Sequence, residues 1–150
     1  MRVARAEVTV PLEPERAREL WTDVRRWPTF VEGFSSAVEL SGDWPEEGSK
    51  LVWQSTKAGR GRVTERVSEC GPERFTTEVY EDALTGTQTV SFAAVSEGSG
   101  VELRLEYELT RYGPLRAVAD VLFIRRALRD ALRRTLHSFA VEAEEESGLR

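Results

Sequence analysis

The sequence predicts an α+β fold, in which a curved antiparallel sheet of about seven strands wraps around a long C-terminal helix and two short helices follow the first strand. Three observations lead to this prediction. Polar and apolar residues alternate from Arg2 to Val10 and again from Ser36 to Thr110, which is the period of strands. Between these stretches lies a short segment with helical spacing. From Gly113 to about Glu144 the apolar residues recur at helical spacing without interruption.

The first strand and the short helices are predicted from proline positions and aromatic spacing. Pro11 ends the strand Arg2–Val10, since proline cannot donate to a sheet. A helix then runs from Pro14 to about Val24, because proline and acidic residues favour a first helical turn. Pro28 begins a second helical turn, which ends near Gly33.

Six further strands are predicted, and glycine-containing turns separate them at short intervals. Such close turns without helical insertions indicate hairpins and an antiparallel meander. The predicted strands are Ala37–Ser41, Lys50–Thr56, Arg62–Glu69, Arg74–Glu81, Thr87–Val95 and Val101–Leu109.

The C-terminal helix carries one apolar stripe that can cover the sheet. Its roughly 30 residues correspond to about 45 Å at 1.5 Å per residue. The stripe consists of Ala117, Val121, Ile124, Leu128, Ala131, Leu132, Thr135 and Phe139. We expect residues 1–150 to form a single domain whose tail frays from about residue 144.

Composition excludes several classes of protein. The net charge of −5 argues against nucleic-acid binding, which needs a basic surplus. With one cysteine, Cys70, and one histidine, His137, the sequence predicts no disulfide, no metal site and no cofactor. It shows neither a signal peptide nor a membrane span, so we expect a cytoplasmic protein. The preference for arginine over lysine suggests a bacterium with a GC-rich genome.

The segment from Val10 to Val31 resembles the START-like superfamily, within it the polyketide cyclase/dehydrase and coenzyme-Q-binding branch. The resemblance rests on Pro11 ending the first strand, on Trp21-Thr-Asp23-Val24 in the first helix, and on Trp27-Pro28-Thr-Phe30-Val31 opening the second. It also includes the glycine at Glu47-Gly48-Ser49. The resemblance implies the helix-grip fold, with a cavity between the sheet and the long helix that binds an apolar small molecule.

A cavity of this kind would be lined by inward side chains of the sheet and the helix. Small-molecule pockets typically measure about 300–1,000 Å³. The predicted ligand-binding residues are Trp27, Phe30, Trp53, Val63, Val67, Phe75, Val79, Phe92, Leu103, Leu105, Tyr107, Val121, Ile124 and Leu128. Taken singly, a residue of this kind is more often plain core than a ligand contact.

Three residues are candidates for acid–base chemistry, which the resemblance implies for the enzymes of the superfamily. Glu65 lies between Val63 and Val67 on one face of its strand, and burial there would raise its pKa. Alternatively, sheet curvature or a bulge at Gly59–Gly61 turns it outward, or it forms a structural pair with an arginine such as Arg125. Tyr107 and Arg125 are the other candidates. The simpler interpretations are that the Tyr107 ring fills space in the core and that the Arg125 side chain extends to solvent.

The start of the C-terminal helix, from Leu115 to Ile124, is apolar on nearly all sides. Leu122 and Phe123 fall outside the core stripe, so they either pack on Trp27, Phe30 and Phe34 or form an exposed patch. Such a patch would serve as a portal, a partner surface or a homodimer interface.

The leading functional prediction is binding or carriage of a polyketide-, lipid- or quinone-like molecule, and the alternative is an enzyme of the aromatase/cyclase type.

Overall fold

The computed structural model describes residues 2–57, 60–110 and 117–148, with the side chains of the last helix described from Leu122 onward. The elements in chain order are β1 (Arg2–Val10), α1 (Pro14–Thr22), a 3-10 turn (Val24–Arg26), α2 (Trp27–Phe30), β2 (Phe34–Ser41), β3 (Lys50–Ser55), β4 (Arg62–Cys70), β5 (Arg74–Tyr80), β6 (Leu84–Val95), β7 (Gly98–Leu109) and α3 (Ala117–Gly148).

The two short helices begin and end where local chemistry favours it. Pro14 stands in the first turn of α1, where no partner for a backbone N–H is needed, and Glu15 follows it. Asp23 then accepts a hydrogen bond from the backbone N–H of Arg25 and so caps the 3-10 turn. The indole of Trp27 donates to the carbonyl of Trp21 over 2.7 Å, which fixes α2 against α1.

The seven strands form one antiparallel sheet in the order β1-β7-β6-β5-β4-β3-β2. Strands β2 to β7 are a meander of sequential neighbours, and β1 pairs with β7 from Arg2 opposite Tyr107 to Val10 opposite Ser99. The first and the last strand of the chain are therefore neighbours, and β1 and β2 are the two edges.

The sheet departs from regular pairing at positions that permit curvature. Register shifts occur twice between β2 and β3 and once between β4 and β5, near Val67. Gly86 is the third residue of β6 and lies opposite Tyr107, at a position where a Cβ atom would collide with the carbonyl oxygen of Glu106. The absence of a side chain lets β6 and β7 approach closely there.

Helix α3 is buried unevenly along its length. Its backbone runs close to β1, α1 and α2 rather than to the central strands. Between residues 122 and 131 no side chain is buried, whereas Leu132, Thr135, Leu136, Phe139 and Ala143 all are. Among the described side chains of α3, those from Leu132 onward thus form most of its part of the hydrophobic core, and half-buried Leu128 packs against that core.

Ion pairs add to this attachment. Arg26 contacts Glu142 at 2.8 Å and Glu146 at 3.1 Å. Arg134 contacts Glu32 at 3.0 Å, and the backbone N–H of Glu32 donates to the Thr135 hydroxyl over 2.9 Å. The helix continues to Gly148, through the segment from residue 144 for which the sequence suggests fraying.

The predicted fold class, sheet and long helix are confirmed, and the differences concern boundaries. Strand β2 starts three residues before Ala37, and β6 starts at Leu84 because Thr85 and Gly86, expected in a turn, pair with β7. The predicted helix start at Gly113-Pro114 lies outside the described residues. In the described ranges, no helix is long and apolar enough to cross a membrane.

Candidate ligand-binding site

A cavity of about 50 Å³ lies between the concave face of the sheet and α3. Its walls come from α1, the region of α2, the turn after β3, strands β3, β4, β6 and β7, and α3. The lining residues are Trp21, Trp27, Val31, Glu32, Trp53, Arg60, Glu65, Gln88, Leu103, Leu105, Leu128, Ala131, Leu132 and Thr135. The volume is smaller than the range expected for a small-molecule pocket, because indole and leucine side chains occupy much of the space.

Aromatic rings form one side of this region in a connected series. Trp21 packs against Phe30 and Phe139 with ring centroids 5.4 and 5.3 Å apart. Phe34 links Trp27, at 6.0 Å, to Trp53, at 5.3 Å. These contacts hold the three cavity-lining indoles in fixed positions, since ring pairs at these distances are stabilising.

Glu65 is the buried carboxyl group of the cavity wall. It points inward with Val63 and Val67, as the alternation predicts, and it is 4% exposed. One carboxyl oxygen accepts from the indole N–H of Trp53 over 2.8 Å, and the other accepts from the Thr77 hydroxyl over 3.0 Å. Arg60, rather than the suggested Arg125, provides the nearby positive charge.

Arg60 joins this carboxyl group to a second one. Its Nε donates to Glu81, whose side chain is 4% exposed, and its guanidinium carbon lies 5.6 Å from the Trp53 ring centroid. Among the described residues, neither the buried Nη2 atom of Arg60 nor the buried Nε1 atom of Trp21 has a hydrogen-bond partner. Both residues line the cavity.

Burial dominates the electrostatics of the two carboxyl groups. Desolvation raises the pKa of Glu65, and the hydrogen bond from Trp53 and the charge of Arg60 offset this only in part. Desolvation also raises the pKa of Glu81, against the attraction of Arg60. The site therefore favours a protonated carboxyl group on Glu65 more than water does.

The other two acid–base candidates lie elsewhere. Tyr107 is fully buried, its hydroxyl has no hydrogen-bond partner among the described residues, and desolvation raises its pKa, but it is not part of the cavity wall. Arg125 is exposed on α3 and is also absent from the wall. Of the three candidates, the structure places only Glu65 on the cavity.

Five of the predicted ligand-binding residues line the cavity, namely Trp27, Trp53, Leu103, Leu105 and Leu128. Others are buried in the surrounding core without reaching its wall: Phe30, Val63, Val67, Phe75, Val79, Phe92 and Tyr107. Ile124 is half-buried outside the wall, and the side chain of Val121 lies outside the described residues.

Sequence reasoning missed several lining residues. Gln88 could have been predicted as a lining residue, because alternation places it on the same face of β6 as Val90 and Phe92. Arg60 could not have been predicted, because it comes from a Gly-Arg-Gly turn whose path depends on the strands around it. The spacing of Trp21 indicates only packing within α1, and the assembled structure alone brings it to the cavity.

Leu122 and Phe123 form an exposed apolar patch on α3, where the described side chains of the helix begin. They are 59% and 74% exposed, so they do not pack on the aromatic residues of α2.

His137 is exposed and Cys70 is half-buried, with the Arg18 guanidinium 3.4 Å from its sulfur. In the portion of the chain that is described, no group of side chains could hold a metal ion.

The fold and the sheet–helix cavity define a helix-grip protein. Residues 1–144 match the family described as polyketide cyclase / dehydrase and lipid transport. The chain belongs to that family. Among curated proteins, no sequence matches significantly.

Solved structures share this architecture at low sequence identity. The protein TTHA0849 from Thermus thermophilus is 21% identical with a TM-score of 0.80, over 97% of this chain and 99% of that one. The ZhuI aromatase/cyclase from Streptomyces sp. R1128 is 16% identical with a TM-score of 0.74, over 97% and 95%. A START superfamily protein from Mycobacterium smegmatis is 14% identical with a TM-score of 0.74, over 95% and 97%. These likenesses establish the fold.

Proposed function

We propose that the protein binds an apolar small molecule, polyketide-, lipid- or quinone-like, between the sheet and α3, and carries it in the cytoplasm. The observation that carries the proposal is the cavity itself, which collects apolar side chains from α1, β3, β7 and α3 around a few polar groups. The family description, which names lipid transport, agrees with it.

Binding requires the cavity to expand, since about 50 Å³ is too small for such a ligand. The uneven burial of α3 indicates where this expansion takes place. The C-terminal half is anchored by Leu136 and Phe139, whereas residues 122–131 bury no side chain. A segment with few buried apolar contacts separates at low free-energy cost. We therefore infer that the first described turns of α3 lift from the sheet when a ligand enters.

Filling the cavity from α3 tests this proposal. Leu128 lies on the cavity wall and is half-buried, so Leu128→Trp adds volume there without a fully enclosed clash. We expect the affinity for the neutral dye N-phenyl-1-naphthylamine, measured by its fluorescence, to fall roughly tenfold or more, equivalent to about 1.4 kcal/mol.

Ala127→Trp provides the matched control, because Ala127 is the exposed neighbour on the same helix. It should leave dye affinity unchanged, and both variants should retain the wild-type melting temperature within a few degrees. Equal dye binding by wild type and Leu128→Trp would contradict a ligand site in this cavity.

A second candidate function is acid–base catalysis on a polyketide, favoured by the position of Glu65. A carboxyl group with a raised pKa on the wall of an apolar cavity can donate or accept a proton. The ZhuI structure is described as an aromatase/cyclase, which supports this candidate by fold alone. Tyr107 and Arg125 stay predictions as further catalytic groups.

Turnover of a linear poly-β-ketone thioester, followed by mass spectrometry, distinguishes the enzyme from the carrier. If the protein is an enzyme, Glu65→Gln should slow cyclisation roughly 100- to 10,000-fold with dye affinity kept within about twofold. Tyr107→Phe tests the other buried acid. Cyclisation at the same rate by wild type and Glu65→Gln would exclude Glu65 as the acid or base.

A homodimer through the Leu122–Phe123 patch also stays a prediction.

A further inference from the structure

The outer side of α3 between residues 122 and 133 combines arginines with two large apolar side chains. Leu122 and Phe123 are 59% and 74% exposed. Beside them, the side chains of Arg126, Arg129 and Arg133 are also exposed. At about 100° per residue, Leu122 and the three arginines fall within about 60° of one another around the helix axis, and Phe123 lies about 60° beyond them. These five residues are called the basic face of α3.

The positive charge of the basic face is not neutralised within the described part of the chain. None of its three arginines forms an ion pair with a described residue, whereas Arg134 pairs with Glu32 at 3.0 Å. Asp130 is the one acidic residue in the sequence from 122 to 133, and it is half-buried. The whole protein has a net charge of −5, so this face is a local concentration of positive charge on an acidic protein.

A helix face of this composition matches the surface of an anionic lipid bilayer. Lipid phosphates attract arginine, and the planar guanidinium donates several hydrogen bonds to phosphate oxygens. Phenylalanine and leucine side chains enter the boundary between the headgroups and the acyl chains. A helix that lies in this plane needs both kinds of side chain on one exposed side, and the basic face provides both.

A second copy of the chain or an acidic protein fits the same face less well. In a two-fold dimer a patch meets itself, so the arginines of one copy would approach those of the other. Protein interfaces collect their apolar side chains in a buried centre within a polar rim. Here Arg126 lies between Leu122 and Phe123 around the helix axis, so the two apolar side chains form no such centre. A bilayer requires none, because each apolar side chain inserts separately.

We propose that the basic face of α3 docks the protein onto the surface of an anionic lipid bilayer. Leu122 and Phe123 insert at the headgroup boundary, and the three arginines bind lipid phosphates. The helix lies on the membrane without crossing it, in agreement with the finding that no described helix is apolar enough to span one. This docking goes beyond the proposed ligand binding and uses the opposite side of α3 from Leu128, the cavity residue.

Co-sedimentation of the full chain with large unilamellar vesicles tests the proposal. We expect vesicles of about 70% phosphatidylcholine and about 30% phosphatidylglycerol to bind it at least roughly tenfold more tightly than vesicles of phosphatidylcholine alone. Raising the salt concentration from about 50 mM to about 500 mM should release most of the bound protein, because salt screens exposed charges.

Removing charge from the basic face should weaken this binding. The double variant Arg126→Gln/Arg129→Gln should bind the anionic vesicles roughly 10- to 30-fold less tightly, since each arginine near such a surface contributes roughly fivefold. The matched control is Arg62→Gln/Arg66→Gln, which removes the same charge from two exposed positions of β4. It should change the affinity by less than about twofold, because a charge that is remote from the membrane is screened.

Removing the aromatic side chain tests the apolar part of the face. Phe123→Ser should weaken binding to the anionic vesicles roughly 3- to 10-fold, because less apolar surface leaves water on docking. Val141→Ser is its control, since Val141 is a 46% exposed apolar residue near the other end of α3. It should bind the vesicles as wild type does.

Three results would overturn the proposal: no binding to the anionic vesicles, equal binding to both kinds of vesicle, and wild-type affinity in Arg126→Gln/Arg129→Gln. Without vesicle binding, capture of polyglutamate by the basic face would indicate an acidic protein partner. A dimer that Phe123→Ser converts into a monomer, again without vesicle binding, would indicate a second copy. Either result would also refute membrane docking.

Docking and ligand binding can fail separately. The affinity for N-phenyl-1-naphthylamine, measured without vesicles, should be the same in wild type and in Arg126→Gln/Arg129→Gln, because both arginines are exposed. The salt dependence and the lipid preference of the wild-type protein test the proposal without any variant, so it stays falsifiable if a substitution impairs folding.

Discussion

Glu65 is a carboxyl group that folding transfers from water to the inside of the sheet. Two donors, the Trp53 indole and the Thr77 hydroxyl, meet its oxygens. Neither donor lies next to Glu65 in the sequence, and the hydrogen bonds exist only because β3, β4 and β5 pair in their observed register. The environment of this carboxyl group is thus a property of the sheet rather than of a local motif.

The raised pKa of Glu65 predicts how stability changes with pH. Below its ordinary pKa of 4.5 the group is protonated in both the folded and the unfolded state, so its contribution to the free energy of unfolding is fully present. As the pH rises above 4.5, the unfolded state loses its proton first. The free energy of unfolding then falls by up to about 1.4 kcal/mol per pH unit, until the pH reaches the raised pKa of the folded state.

Glu65→Gln should remove this dependence. The free energy of unfolding, from urea titrations between pH 4 and pH 8, should fall less steeply with pH in the variant than in wild type. Glu69→Gln, an exposed position on the same strand, is the matched control and should follow wild type. Parallel profiles for wild type and Glu65→Gln would refute a raised pKa at this position.

Helix α3 combines an anchored half and an exposed half within one element. Phe139 is fully buried and its ring centroid lies 5.2 Å from that of Phe30, while Phe123 on the same helix is 74% exposed. The sequence places Phe139 on the core stripe and Phe123 off it, as the structure has them. Helical periodicity alone does not say which half carries the packing.

Truncating the two phenylalanines measures this difference. Phe139→Ala should destabilise the protein by about 3–5 kcal/mol, because it opens a void among aromatic rings. Phe123→Ala should change the free energy of unfolding by less than about 0.5 kcal/mol. Both values come from urea denaturation, and similar losses for the two variants would argue that the exposed half of α3 is also part of the stable core.

At the scale of the whole molecule, the sequence predicts the fold far better than the site. Alternation and turn residues locate every strand to within a few residues, because the pattern of burial repeats along each strand. The cavity wall depends instead on which inward side chains face a gap. Phe75 and Trp53 both point inward, yet only Trp53 borders the cavity, and this follows from the curvature of the sheet and the path of α3.

The pairing of β1 with β7 has a consequence for how the chain folds. Arg2 lies opposite Tyr107, so joining these strands closes a loop of roughly 105 residues, at an entropic cost about 2 kcal/mol above that of a ten-residue hairpin loop. The meander from β2 to β7 needs only short loops and forms without this penalty. We expect the hairpins to assemble first and β1 to dock last, so that the seven-stranded sheet is completed in the final stage of folding, at a rate set by this long-range contact.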